Sequence, residues 1–196
     1  MNRQDYLAAL KKQLEPNILS HSQALESCML GLYDYFHKNN LLDASEPTRE
    51  EWGIAGLIHD IDYSGDTKDQ HPNLTRLVLE KYNLKISDTI DSIVKAHAPE
   101  LTGIKPKNKA QWSIFCADSL TGLIVATALI YPTKKLSEVK LSSIIKRFHQ
   151  EPRFAAGTRR HEVILCQNKD GLNLPLDIFV DICLKSMQSI APSIGL

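Results

Sequence analysis

Apolar residues recur at three- and four-residue spacing along almost the whole chain, and that period admits α-helices and little else. Tyr6, Leu7, Leu10 and Leu14 form a first stripe. After Pro16, the residues Ile18, Leu25, Met29, Leu32, Tyr33 and Phe36 form a second. Thr48 and Glu51 are spaced as a capping box, which predicts a helix start just before Trp52. Stripes resume at Leu74, Leu77 and Val78 and again at Ile86, Ile90, Ile93 and Val94. Further helices are expected over 110–131, 136–148, 158–169 and 176–190, the first ended by Pro132 and the third by Gly171. The polar stretches 63–70 and 99–108 read as loops. No segment alternates with period two. The expected architecture is therefore all-α, with roughly eight helices.

Length and composition narrow this further. With 196 residues, of which 43% are hydrophobic, the chain can bury a substantial core within one domain spanning 1–196. Lys+Arg and Asp+Glu both count 23, so no basic excess points to stable nucleic-acid binding. The first fourteen residues are charged and lack the apolar core of a signal peptide. The apolar run 120–131 is interrupted by Thr121, Gly122 and Thr127 and reads as too short for a bilayer, so no membrane is expected. Cys28, Cys116, Cys166 and Cys183 lie far apart with no CxxC pair, which argues against a zinc ribbon and a disulfide framework. The expectation is a soluble, cytoplasmic domain of open oligomeric state.

The chemistry lies in the histidines and two aspartates. His59-Asp60 closes the apolar run Ile54-Ala55-Gly56-Leu57-Ile58, and a carboxylate at the inner end of a buried helix is costly unless paired or metal-bound. Asp118 lies in another apolar stretch, Ile114-Phe115-Cys116-Ala117-Asp118, and raises the same problem. His21 falls between apolar helical positions, His71 is expected to open a helix with Pro72 in its first turn, and His97 to close one before Pro99. Four imidazoles and two carboxylates exceed one tetrahedral site and suit two transition-metal ions bridged by a shared carboxylate. Two such ions can activate water and stabilise an in-line phosphoryl displacement.

The pattern His21, His59-Asp60, His71, His97, Asp118 resembles the HD-domain superfamily of metal-dependent phosphohydrolases. Gly56-Leu57-Ile58-His59-Asp60-Ile61-Asp62 is similar to the doublet motif of its HDIG-type subgroup, and Ala117-Asp118-Ser119-Leu120-Thr121-Gly122-Leu123 to its terminal aspartate motif. The likeness covers about 18–130 well, and the segment from Lys146 to Gly157 also looks like small prokaryotic members. It implies a compact HD-domain helical bundle with a buried metal site, its core at 18–130 and a C-terminal helical extension at 136–196. It also implies one or two divalent ions, iron, manganese or another transition metal. His21, His59, Asp60 and Asp118 would hold the first, and Asp60 would bridge to a second held by His71 and His97.

The chain departs from the family in two places. Asp62-Tyr63 stands where HDIG members carry Gly-Lys, and Ala96-His97 where some members double the histidine. The Gly-Tyr-Pro signature of cyclic-dinucleotide hydrolases is absent as well. The function expected from the likeness is hydrolysis of a small phosphorylated molecule or nucleotide, with Asp60 orienting the metals and Asp62 assisting proton transfer. Basic residues collect at Lys146, Arg147, Arg153, Arg159 and Arg160; Arg153 is singled out as a substrate contact, together with Lys95 near the opening. His37 and His149 read as surface residues, and Trp52, Trp112 and the methionines as core. Two rivals share the ligand set, a di-iron oxygenase of the same superfamily and a non-catalytic metal-containing ligand-binding domain.

Overall fold

Capping side chains fix where several helices start, the expected Thr48 among them. In the computed structural model, which describes residues 2–196, the Asn2 side chain accepts from Gln4 N–H to open α1 (Arg3–Gln13). Pro16 stands at the first turn of α2 (Pro16–Lys38). At α3 (Arg49–Ile58), Thr48 Oγ1 accepts from Glu51 N–H while the Glu51 carboxylate accepts from Thr48 N–H, a complete capping box. There follow α4 (Thr75–Glu80), α5 (Asp88–Lys95), the single turn α6 (Pro99–Thr102), α7 (Lys109–Leu129), α8 (Leu141–Gln150), the single turn α9 (Arg160–Val163) and α10 (Leu176–Ser189). Eight of the ten have six residues or more, and no strand occurs among the described residues.

α2 is the axis of the molecule and packs on α3, α7 and α10. Its approach to α3 depends on Gly56. A Cβ there would lie 3.1 Å from Glu26 Cα and 3.2 Å from Glu26 N, so a side chain would push the helices apart. One cluster of buried side chains runs from Tyr6 to Ile194, and Phe179, Val180 and Met187 of α10 are as deeply buried in it as Leu25 and Trp52. The C-terminal segment thus contributes to the same core.

By length and composition α7 could cross a membrane, contrary to the shorter run read from the sequence. Its most apolar window has a mean hydropathy of 1.5, but 67% of that window is buried inside the protein, as in a core helix.

Several expected segments take another form. The stretch 136–148 is a 3-10 turn (Leu136–Glu138) followed by α8, because Gln188 of α10 donates to the Leu136 and Val139 carbonyls and takes acceptors a continuous helix would use. The stretch 158–169 is α9 followed by a 3-10 helix (Ile164–Gln167), since the chain doubles back and Leu174 N–H donates to Cys166 O. Within the polar stretch 63–70 lies a 3-10 helix, Gly65–Gln70, and the stretch 99–108, also expected as a loop, begins with the single turn α6. His71 does not open a helix: it is extended before Pro72, and α4 begins only at Thr75. Trp112 is half-buried rather than core. His37 and His149 are exposed, and Trp52, Met29 and Met187 are buried; Met1 lies outside the described residues.

Candidate metal centre

Six side chains from five parts of the chain converge between α2, α3, α5 and α7. His21 comes from α2, His59 and Asp60 from the end of α3, His71 from the turn before α4, His97 from just beyond α5, and Asp118 from α7. They form two groups close enough to share an ion, His21–His59–Asp118 and Asp60–His71–His97. The Asp60 carboxylate spans both. Its Oδ2 lies 3.3 Å from His59 Nε2 and 3.6 Å from His21 Nε2, while its Oδ1 lies 3.3 Å from His71 Nε2.

Each imidazole is braced from behind through Nδ1. His59 Nδ1 donates to Gly56 O at 2.9 Å, and His97 Nδ1 to Val94 O. His71 Nδ1 donates to Asp62 Oδ1 at 2.7 Å. Thr121 gives its hydroxyl proton to Asp118 O, which leaves Oγ1 to accept from His21 Nδ1 at 2.9 Å. Carbonyl and carboxylate oxygens only accept, so all four rings carry their proton on Nδ1 and turn a lone pair inward at Nε2.

With the four rings neutral, the interior is lined by acceptors alone. His21 and His59 Nε2 stand 3.1 Å apart, and His71 and His97 Nε2 3.0 Å apart, with no hydrogen to share in the neutral rings. Asp118 Oδ1 stands 3.0 Å from His21 Nε2 and 3.7 Å from His59 Nε2. Facing lone pairs at these distances repel unless a cation lies among them. Asp60, Asp62, Asp118 and Glu162 gather here, and the guanidinium of Arg159 pairs with the last two. The donor set, nitrogen and oxygen without thiolate, suits transition-metal ions.

The electrostatics agree. Burial pushes His59 towards its neutral form, yet Asp60 and Asp118 outweigh it and raise its pKa to about 9, so that a proton fills the cation's place when no metal does. Burial and the neighbouring His59 lower the pKa of His97 to about 4. Burial works against ionisation of Asp60 and Asp118, but the surrounding imidazoles hold both carboxyls well below the usual range.

The centre opens on the His21 side, where that side chain is 26% exposed while His59 is fully buried. A cavity of about 430 Å³ lies there, bounded by His21, Asp118 and Gly122 on one wall and by Ala155, Thr158 and Arg159 on the other. Arg159 Nη2 donates to Asp118 Oδ2 at 2.9 Å, and its Nε to Glu162 Oε2 at 2.6 Å.

All six expected ligands meet, whereas the auxiliary residues fall elsewhere. Asp62 is fully buried behind His71, its second oxygen accepting from Leu74 N–H at 2.8 Å, so no oxygen is free to relay a proton at the opening. Lys95 turns its ammonium to Asp91 at 2.9 Å. Arg153 is exposed on the turn before the cavity wall and does not line it; Arg159 does. Sequence reading left Arg159 undistinguished within the basic cluster and missed Thr121, although Thr121 lies within the quoted aspartate motif. Tyr63 sets its ring edge-on to His71, with centroids 5.2 Å apart. Compared with known proteins, the chain matches no family profile, no curated protein and no solved structure.

Proposed function

We propose that this chain is a metal-dependent phosphohydrolase of the HD-domain kind, acting on a small phosphate ester or nucleotide. The observation that carries the reading is the acceptor-lined interior, open to a cavity that holds a guanidinium. His21, His59 and Asp118 would hold one divalent ion, His71 and His97 a second, and Asp60 both. Such ions, when bound, act as Lewis acids on phosphoryl oxygens and lower the pKa of water.

The chain's own groups bind and position. Arg159, steadied by Asp118 and Glu162, keeps Nη1 free of protein partners among the described residues to meet a phosphate oxygen. The hydroxyls of Ser119 and Thr158, which also line the cavity, can donate to the same group. Asp62 holds His71 at a fixed angle and acts as a positioning residue. In the reaction a water oxygen forms a bond to phosphorus, the ester P–O bond breaks, and the departing alcohol takes a proton from that water. The four unpaired, buried thiols suit a reducing compartment such as the cytoplasm.

The test is metal content per chain after anaerobic purification without chelators, followed by phosphate release from a panel of monoesters and nucleotides with manganese or magnesium. About two equivalents of metal with anaerobic phosphate release is the expected result. Oxygen uptake by the iron-loaded protein without phosphate release would replace this reading with the oxygenase. Metal binding without either activity would favour the ligand-binding domain.

A further inference from the structure

The cavity beside His21 and Asp118 borders a second of about 300 Å³, and the two share His21, Gly122 and Ala126 as lining. Their chemistry differs. The first offers Asp118, Ser119, Thr158 and Arg159. The second presents mainly apolar surface, from Val125, Ala126, Leu129, Ile194 and Leu196, with Asn17, Ser20 and Thr121 as its polar members besides His21. The shared edge of α7 is low, because Gly122 has no side chain and a Cβ there would meet no atom within 4 Å. Ala126 adds one methyl group. Leu129 stands at 50% exposure, a large apolar side chain left facing solvent beside the compartment.

On the hydrolase reading just given, we infer that the substrate is a phosphate ester whose alcohol carries an aromatic or alkyl group. Its phosphate lies by His21, Asp118 and Arg159, and its apolar part crosses the Gly122 edge to lie against Val125, Leu129 and Ile194. A polyol or sugar phosphate fits less well: hydroxyls placed there would lose water and meet only Asn17 and Ser20 as partners, the Thr121 hydroxyl being taken up by Asp118 O and His21. An apolar group gains there by leaving water. Hydrolysis releases inorganic phosphate and the apolar alcohol, which keeps its own oxygen and takes one proton from the attacking water.

The test is calorimetric titration of the manganese-loaded protein with phenylphosphonate and with methylphosphonate, whose C–P bonds such hydrolysis does not cleave. Phenylphosphonate is expected to bind about tenfold more tightly. In Leu129→Asp and in Gly122→Leu the ratio of the two affinities falls towards one. Metal content and melting temperature verify that both variants are loaded and folded; leucine is also the better helix former at a position open to solvent. Equal affinities in the unmodified protein, or a ratio unchanged in both variants, overturn the inference and leave the hydrolase reading standing. If neither phosphonate binds and no ester releases phosphate, the hydrolase reading falls and the substrate class falls with it.

Discussion

Glu26 and Asp60 are both carboxylates withdrawn from water near the contact of α2 with α3, yet their surroundings differ in kind. Glu26 meets the guanidinium of Arg3, which donates to both of its oxygens, Nη2 at 2.6 Å. That pair is complete within the protein. Asp60 meets only imidazoles, which when neutral turn lone pairs towards it, and its two oxygens are divided between two such groups. A buried charge with a matched hydrogen-bonding partner is structure; one surrounded by further acceptors waits for a cation. Gly56 joins the two regions, since a Cβ on it would press on the Glu26 backbone and its carbonyl orients His59.

Substitution separates the two regions most sharply. Asp60→Ala is expected to abolish binding of both ions and, with them, phosphate release, whereas His97→Ala should lose one ion and keep the other. Arg3→Ala should retain full metal content and instead lower stability by about 1–3 kcal/mol, less than for a fully buried pair because Arg3 is 41% exposed. Metal analysis and thermal unfolding on the three variants check this. If Arg3→Ala lost metal to the same extent as Asp60→Ala, the contrast between the regions would be broken.

Gly56→Ala should disturb both at once. Wedging a methyl group against the Glu26 backbone is expected to cost about 1–3 kcal/mol. Moving His59 away from His21 should also weaken metal binding. Chemical denaturation with and without manganese measures both effects. A variant that lost stability but bound metal as tightly as before would show the centre to be insensitive to the helix spacing.

The smallest effect sharpens the contrast through pH. In the metal-free protein His59 carries a pKa raised from 6.5 to about 9, so its contribution to stability is complete below pH 6.5 and is lost as pH rises through about 9. His97, lowered from 6.5 to about 4, contributes above pH 6.5, and that contribution is lost as pH falls towards 4. With a chelator present, melting temperature should therefore decline on both sides of this range. Divalent metal uses the His59 lone pair directly, so the stabilisation conferred by metal should widen between pH 6.5 and 9. Melting curves across pH with chelator and with manganese supply the comparison; a gap that narrowed over that interval would contradict the cluster described above.

The sequence by itself determined most of the helices, the Thr48–Glu51 cap of α3, and the identities of the six converging side chains. Helical period, the Thr48–Glu51 box and the cost of aspartates in apolar helices act within a few residues and can be read along the chain. Only the tertiary structure decided which acceptors brace which rings. Thr121 lies 100 residues from His21, and no local rule joins them. It likewise placed Arg159 rather than Arg153 at the cavity, and Lys95 on Asp91. Neighbouring positions of equal charge differ only in where their side chains reach once the helices have packed. It also broke 136–148 and 158–169 into shorter pieces, because Gln188 and the returning strand of chain at Leu174 supply partners that propensity along the sequence cannot foresee.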